Sequence, residues 1–172
     1  MHYRLATPED AEAIRTIYNR EVLESTVTFD LVARTLDEQL AWLDEHSGAW
    51  PAVVAVDGTG TVGGFGSLSP YRPRPAYRTT VEDSVYVDDR VRGQGVGKGI
   101  LEELVRLAGA HGFHAIIGRI VGGHDASIGL HRACGFEIIG VEKEVGRKFG
   151  HWLDVVLMQR LLDGHAAERR HT

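Results

Sequence analysis

Apolar residues recur with the spacing of a helix in three stretches of the chain. The first stretch follows Thr7 and Pro8, which suit the N-cap and the first position of a helix. The second follows Thr35, which with Glu38 forms a capping-box pattern. Because residues three and four apart share one helix face, each stretch predicts an amphipathic helix. The apolar stripes are Ala11, Ile14, Ile17, Tyr18 and Val22; Leu36, Leu40 and Leu43; and Ile100, Leu101, Leu104, Val105, Leu107 and Ala108.

Short runs rich in Val, Ile and aromatic residues lie between these stretches and predict strands. Residues 57–60, Asp-Gly-Thr-Gly, predict a hairpin turn between two of the runs. A short helix is predicted over residues 125–134, and Gly135 is predicted to end it. The last two strands are expected to turn near residues 146–148. The predicted strands cover residues 3–6, 52–56, 61–68, 79–87, 115–121, 136–145 and 149–161.

This order of elements predicts an α/β (α+β) fold with a central mixed sheet flanked by helices on both faces. The chain has no internal repeat and no linker long enough to divide it, so residues 1–163 are predicted to form a single domain. Residues 164–172 are polar and lack an apolar face, which predicts a disordered tail.

Charge and cysteine content narrow the class of function. The net charge of -5, with scattered Lys and Arg, argues against nucleic acid as a partner. No apolar run approaches the ~20 residues of a membrane helix, and the N-terminus lacks the features of a signal peptide. The single cysteine, Cys134, excludes an intrachain disulfide and fits a reducing compartment. The histidines show no metal-binding spacing. We therefore expect a cytoplasmic protein without a metal or a membrane partner.

A glycine-rich turn, residues 92–98, joins the fourth predicted strand to the third long helix. Glycines let the backbone approach a ligand, and a helix N-terminus offers unpaired N–H groups, so this order predicts an anion site. A Walker site is excluded because Arg92 and Gly99 stand where that motif needs glycine and Ser or Thr. The dinucleotide fingerprint fails at Lys98. The spacing that remains is Arg-x-x-Gly-x-Gly; the alternative is an ordinary turn between a strand and a helix.

The loop resembles the coenzyme A pyrophosphate loop of the GNAT N-acetyltransferases, and the order of elements resembles that fold over essentially the whole chain. The resemblance implies acetyl-CoA as cosubstrate. His124 stands where the superfamily usually has Asn, and an imidazole can donate one hydrogen bond but cannot reproduce the donor-acceptor pair of an amide in one plane. The cofactor-binding residues that the resemblance implies are Val85, Tyr86, Val87, Arg92, Gly93, Gln94, Gly95, Val96, Gly97, Lys98, His124 and Ser127.

Several short segments resemble the phosphinothricin and methionine sulfone acetyltransferase branch of these enzymes. In that branch an acidic residue is followed by two residues and then Val-Tyr-Val, and Glu82 occupies this position as the implied base. Neighbouring strand residues point to opposite faces, so only one of Glu82 and Asp83 faces the cleft. A surface carboxylate is the alternative. The other matching segments are residues 18–19, 25–29, 70–77 and 148–150 with Trp152 and Asp154.

The same resemblance implies a set of substrate-binding residues, namely Arg72, Arg74 and Tyr77. They would hold the carboxylate and the tetrahedral head group of a glutamate-like or methionine-like amino acid. A guanidinium donates paired hydrogen bonds to such oxygens, which supports this assignment. Arginines between prolines also keep an exposed loop soluble, which is the alternative. Phe29 either lines the same pocket or belongs to the core.

Acetyl transfer to an amine requires that the amine lose its proton and that the departing sulfur be stabilised. It requires no nucleophilic side chain, so Cys134, in an apolar helical segment, is expected to be a core residue. His131 stands where many superfamily members place a Tyr, the proposed acid for the sulfur. Two interpretations of His131 stay open: a proton donor to sulfur, or a hydrogen bond in the core.

The sequence thus predicts an acetyl-CoA-dependent N-acetyltransferase that acts by direct transfer on the α-amino group of a small amino acid, such as phosphinothricin, methionine sulfone or methionine sulfoximine. One alternative is a GNAT enzyme for another amine, such as a protein N-terminus, an aminoglycoside or a polyamine. The two loop arginines disfavour a polycation. The other is a non-catalytic acetyl-CoA-binding sensor, for which Glu82 is dispensable. The resemblance also implies a homodimer.

Overall fold

A computed structural model describes residues 1–162 and contains one seven-stranded sheet with helices on both faces. The predicted fold class is confirmed, whereas the tail predicted for residues 164–172 lies outside the described residues. The strands are β1 (His2–Leu5), β2 (Ala52–Val56), β3 (Val62–Pro70), β4 (Thr80–Val87), β5 (Ala115–Val121), β6 (Glu137–Lys148) and β7 (His151–Leu161). The helices are α1 (Ala11–Glu24), α2 (Leu36–Glu45), α3 (Val96–Ala110) and α4 (Asp125–Ala133).

The sheet separates two apolar clusters. Alternate residues of β2 supply both, because successive strand side chains point to opposite faces. Val53 and Ala55 pack with the buried stripe of α3, and Val54 and Val56 pack with the buried stripe of α1. The stripe predicted for α1 is confirmed, and so is that of α3, although Val105 and Leu107 are only partly buried.

The strands follow the order β1-β2-β3-β4-β5-β7-β6, and all neighbours are antiparallel except β4 and β5. α3 makes the crossover that a parallel pair requires. The β4–β5 ladder pairs only Thr80–Asp83 with Ala115–Gly118. Beyond these four pairs the two strands separate, although β4 continues to Val87 and β5 to Val121.

The buried side of α2 differs from the prediction. Only Leu43 of the three predicted leucines is buried, whereas Leu36 and Leu40 are 44% and 38% exposed. Gln39 is fully buried instead, and its side-chain oxygen accepts a hydrogen bond from Arg34. The helix packs beside α1 through the face of Gln39 and Leu43, so a polar residue occupies a position that an apolar pattern cannot reveal. The predicted capping box is present, since Thr35 N–H donates to Glu38 at 2.7 Å.

The last hairpin also turns later than predicted. β6 runs to Lys148, which pairs with His151, so the turn consists of Phe149 and Gly150. Both have positive φ, +49° and +80°, as a two-residue type I′ turn requires. The sequence prediction stopped early because β6 is irregular between Glu142 and Gly146, and this irregularity breaks the alternation of its side chains.

Candidate active site

The separation of β4 and β5 opens a cleft of about 450 Å³. One wall is the end of β4, residues 84–87, and the other is the end of β5 with the start of α4. Because the parallel ladder ends at Asp83, the edge of β4 that faces β5 has no ladder partner along this wall. Backbone N–H and C=O groups that lack a strand partner are ready to pair with an extended ligand.

The glycine loop forms one end of this cleft. Gly95 immediately precedes α3 with φ +80°, and Gly93 has φ +74°. No other atom lies within 4 Å of a Cβ built at either position, so backbone conformation, and not space, requires glycine there. A Cβ at Gly97 would lie 3.2 Å from Leu130, so this third glycine serves close packing against α4. The loop therefore leaves open space in front of a helix N-terminus, which suits a phosphate.

The structure brings together most residues that the sequence assigned to the cofactor. Gln94 is the exception: it does not line the cleft, and its amide donates to the carbonyl of Arg90. The ring of Tyr86 belongs to the core, stacked on Phe65 at 5.1 Å between centroids, and burial raises the pKa of its phenol. The assigned residues that line the cleft are Val85, Tyr86, Val87, Arg92, Gly93, Gly95, Val96, Gly97, Lys98, His124 and Ser127.

Arg92 joins the glycine loop to α1. Its guanidinium lies 2.5 Å from the carboxylate of Glu21 and 2.7 Å from that of Asp89. Glu21 also lines the cleft and is 7% exposed, and its second carboxylate oxygen accepts from the Ser25 hydroxyl at 2.6 Å. Sequence reasoning missed Glu21, although the signal was present: it is an acid within the apolar stripe of α1, four residues after Ile17 and three after Tyr18, and it is buried with them.

Residues 25–30 are fixed against the sheet by a buried polar network. The Tyr18 hydroxyl lies 3.0 Å from the Thr28 hydroxyl and donates to Asp30 at 2.6 Å. The ammonium of Lys148, which is 3% exposed, donates to the Thr28 carbonyl at 2.9 Å. Burial lowers the pKa of Lys148. Two segments that carried the family resemblance, residues 25–29 and 148–150, thus meet through Lys148 and Thr28.

His131 and Asp83 form a buried pair in the wall of the cleft. His131 Nε2 lies 3.0 Å from Asp83 Oδ2, and His131 Nδ1 lies 2.8 Å from the carbonyl of Ser127. Both side chains are about 95% buried, at 4% and 5% exposure. Gly118 makes room for the pair, because a Cβ there would lie 2.9 Å from the imidazole. The pair stands where the two parallel strands part.

The hydrogen bonds of this pair define its proton content. A carbonyl oxygen only accepts, so Nδ1 of His131 carries a proton, and a second proton lies in the hydrogen bond between Nε2 and Asp83 Oδ2. Burial disfavours the imidazolium, but the hydrogen bond and charge of Asp83 outweigh it, and the pKa of His131 is raised. The other carboxylate oxygen, Asp83 Oδ1, is buried without a hydrogen-bond partner among the described residues. Neither ring nitrogen is left to face a ligand directly.

Glu82 lies on the opposite face of β4 from Asp83. Burial raises the pKa of its carboxyl, and the nearby charge of Arg119 opposes this most strongly, with a weaker opposing effect from Arg72. A base with a raised pKa accepts a proton more readily than an exposed glutamate does. The two neighbouring acids therefore lie on different faces of β4, and Asp83, not the predicted base Glu82, is the one that lines the cleft.

The predicted substrate residues lie outside the lining of the cleft. The guanidinium of Arg72 stacks over Tyr71 at 5.0 Å and Tyr77 at 5.8 Å from the ring centroids. Tyr77 is 37% exposed and follows Arg74 in a single turn of 3-10 helix, Pro75–Tyr77. Phe29 is 41% exposed and packs on Gly146, so it is not a core residue. Only Arg72 is connected to the site, through its effect on Glu82.

Cys134 is buried in the core, as predicted, and burial raises the pKa of its thiol. Within residues 1–162, no three His, Cys, Asp or Glu side chains are grouped so that they could hold a metal ion. Among the helices of the same residues, none has the length and apolar character needed to cross a membrane.

Residues 3–157 match the acetyltransferase (GNAT) domain family. The chain belongs to the GNAT acetyltransferases. It is 43% identical over 155 residues, 90% of each protein, to the L-methionine sulfoximine/L-methionine sulfone acetyltransferase of Pseudomonas aeruginosa. These matches identify an acetyl-CoA-dependent N-acetyltransferase, as the sequence predicted.

Solved GNAT structures share the fold closely. A phosphinothricin acetyltransferase from Sinorhizobium meliloti, in complex with acetyl-CoA, superposes with a TM-score of 0.90 at 41% identity, covering 94% of this chain and 88% of that one. A ribosomal-protein-alanine N-acetyltransferase from Brucella melitensis superposes with a TM-score of 0.91 at 38% identity, covering 94% and 100%. The fold alone therefore does not separate small amino acids from protein N-termini as substrates.

The glycine loop yields a direct test. We expect Gly95→Asp to abolish measurable acetyl-CoA binding, because it places a negative charge and a side chain where φ is +80° and a phosphate is to bind. Gly95→Ala keeps only the backbone strain and should bind more weakly than the wild type but more tightly than Gly95→Asp. Gly58→Asp, in the β2–β3 turn, adds the same charge away from the cleft. Calorimetric titration measures all three, and an unchanged dissociation constant for Gly95→Asp contradicts the assignment.

Proposed function

We propose that this enzyme acetylates the α-amino group of a small amino acid with an oxygen-rich tetrahedral head group, such as methionine sulfone, methionine sulfoximine or phosphinothricin. The observation that carries the proposal is the half-buried carboxylate of Glu82 under the influence of two guanidinium groups, those of Arg119 and Arg72. This arrangement suits an acceptor that bears both an amine and anionic or strongly polar oxygens. The names of the P. aeruginosa and S. meliloti relatives support the same class.

The cleft residues fit acetyl-CoA, which supplies the acetyl group as a thioester when bound. The glycine loop and the N-terminus of α3 would hold the pyrophosphate, and the unpaired edge of residues 84–87 would hold the amide-bearing arm. His124, with a pKa lowered by burial and by the charge of Arg92, is a neutral group at the start of α4. In this environment a neutral imidazole offers one donor and one acceptor.

In this proposal Glu82 removes the proton from the acceptor amine. An amine is protonated near neutral pH and attacks only after it loses that proton. The raised pKa of Glu82 makes the carboxylate a stronger base, and its position on the face opposite Asp83 separates deprotonation of the acceptor from events at the sulfur.

The Asp83–His131 pair is our candidate for the proton that the departing sulfur requires. The pair holds this proton out of bulk water, next to the cleft lining of Ser84 and Val85. Because both ring nitrogens are engaged, the proton reaches the cleft only if the imidazole turns away from Asp83 or Ser127. A purely structural hydrogen bond is the alternative, and the variants below separate the two roles.

Two other functions remain candidates. The B. melitensis neighbour favours a protein N-terminus as acceptor, because its fold is the same at 38% identity. An acetyl-CoA-binding sensor has no need of a base, so retention of Glu82 in a half-buried position disfavours it.

We also propose that the enzyme is a cytoplasmic homodimer. β6 is an edge strand of twelve residues, and together with β7 it exposes large apolar side chains. Exposed apolar surface at a sheet edge favours association with a second copy. The free, buried Cys134 is compatible with a reducing compartment. A monomer in sedimentation equilibrium would contradict the dimer. The exposed residues are Ile138, Ile139, Val141, Val145, Trp152 and Leu161.

Replacing the proposed base tests its role. Glu82→Gln should lower the turnover number by about 10²–10⁴-fold near neutral pH without weakening acetyl-CoA binding. The base acts in its ionised form, so wild-type turnover should fall as the pH drops through the raised pKa of Glu82, above the ordinary value of 4.5. The defect should shrink at high pH, where solvent deprotonates the amine. Glu137→Gln, at an exposed position, is the control; wild-type turnover in Glu82→Gln would remove the base from the mechanism.

The His131 pair is tested by two variants. Asp83→Asn removes the charge that raises the pKa of His131, so turnover should be lost at a lower pH on the alkaline side than in the wild type. His131→Phe should lower the turnover number by a larger factor than it changes the Michaelis constant of either substrate. His111→Phe is a matched control, because His111 makes the same type of bond to a carbonyl four residues earlier, at 2.9 Å, but is exposed. A lower melting temperature with unchanged kinetics in both cleft variants would establish a structural role instead.

A panel of acceptor amines tests the proposed substrate class. We expect acetylation of methionine sulfone, methionine sulfoximine and phosphinothricin to exceed that of spermidine and of a peptide with an N-terminal alanine. Arg72→Ala should raise the Michaelis constant for the amino acids, since a charge-assisted hydrogen bond contributes roughly 1.5–3 kcal/mol. Release of free thiol measures each rate. Faster acetylation of the peptide or the polyamine would overturn the substrate class but leave the acetyltransferase assignment in place.

A further inference from the structure

Arg119 stands at the point where β5 leaves β4. The parallel ladder ends with the pair Asp83–Gly118, and Arg119 is the next residue of β5. It lines the cleft. Glu82 pairs with Ile117, which is two residues before Arg119, so strand alternation places Arg119 on the same face of the sheet as Glu82. Arg119 carries no signal in the sequence, because an isolated arginine in an otherwise buried strand matches no motif.

The guanidinium of Arg119 is already bound to a carboxylate. Its two terminal nitrogens lie 2.7 Å and 3.4 Å from the two carboxylate oxygens of Glu142 on β6. The side chains of Arg119 and Glu142 are 31% and 29% exposed, so water reaches the pair. A pair of this exposure contributes little to stability and exchanges its partner readily.

The chemistry of an amino-acid acceptor makes this pair informative. The amine and the carboxylate of an α-amino acid are attached to the same carbon. If the amine lies at Glu82, its carboxylate must lie in the immediate surroundings of Glu82, where Arg119 exerts the strongest charge effect and Arg72 a weaker one. Arg72 is stacked on the tyrosines of the 70–77 loop and is suited to a more distant head group. Arg119 extends from the rigid sheet, next to the proposed reaction centre.

We propose that Arg119 is a specificity-determining residue that binds the α-carboxylate of the acceptor, and that Glu142 holds the guanidinium in place until the acceptor displaces it. The inference rests on the proposed function and deepens it, since it explains how the enzyme selects an amino acid over the corresponding amine. Glu142 is an internal carboxylate with the paired geometry that a guanidinium offers to a substrate carboxylate. It therefore competes with the acceptor for the same donors.

This competition gives the two partners opposite effects, which a merely structural ion pair would not. Arg119→Met should raise the Michaelis constant for methionine sulfone at least about tenfold, because one charge-assisted contact is lost. Glu142→Gln should lower that constant, because the competitor is removed. For 3-(methylsulfonyl)propylamine, the analogue without the carboxylate, neither variant should change the constant by more than about twofold. Arg119→Lys should recover part of the selectivity.

The control is the exposed pair of Arg106 and Glu103 on α3, which lie 2.6 Å apart and do not line the cleft. Arg106→Met and Glu103→Gln should leave both Michaelis constants unchanged. If Arg119→Met and Glu142→Gln raise the Michaelis constant for methionine sulfone equally, the ion pair is structural and the inference is overturned. Equal loss of activity on amino acid and amine in Arg119→Met would show that Arg119 only adjusts Glu82. A wild type that acetylates no amino acid overturns the proposed function itself, whereas an active wild type with unchanged selectivity in Arg119→Met overturns only the role of Arg119.

Discussion

The cleft of this molecule depends on the separation of two parallel strands after four paired residues. β4 and β5 are joined from Thr80 to Asp83 and then diverge, so the centre of the sheet contains an opening. In most sheets a gap of this kind would leave backbone polar groups buried and unpaired, which is costly. Here the gap is open to solvent and to a ligand that can supply the missing partners. The sheet thereby becomes a binding site without a separate domain or a long inserted loop.

The strand that borders the opening presents its two acids to opposite faces of the sheet, and only Asp83 lines the cleft. On β4, Glu82 faces the side covered by α1, and Asp83 faces the side covered by α3 and α4. Adjacent acids in one strand thus serve two environments: one carboxylate lies near guanidinium groups, and the other is bound to an imidazole. Gly118 is the counterpart on β5, because only a residue without a side chain leaves space for His131 at this point.

The sequence predicted the sheet, the helices and the glycine loop because each has a local pattern: alternation, helical spacing, caps and positive-φ glycines. It did not predict the burial of Gln39, since its environment depends on Arg34 and on the packing of α2 against α1. Strand alternation in the sequence predicted that Glu82 and Asp83 face opposite sides. It could not predict the hydrogen bond between Asp83 and His131, because these residues are 48 positions apart. The ion pair of Arg119 and Glu142 could not be predicted from the sequence for the same reason, because only the register of the sheet brings the two residues together.

The carboxylate of Glu21 connects two segments of the chain that are otherwise separate. One oxygen of its carboxylate is held by Arg92 of the glycine loop, and the other by Ser25, at the start of the segment that Thr28, Tyr18 and Lys148 fix in place. The glycine loop and the segment of residues 25–30 therefore share one anionic group. A coupling carried by such a shared group is reciprocal: any change that a ligand at one segment produces in affinity at the other is matched by an equal change in the reverse direction.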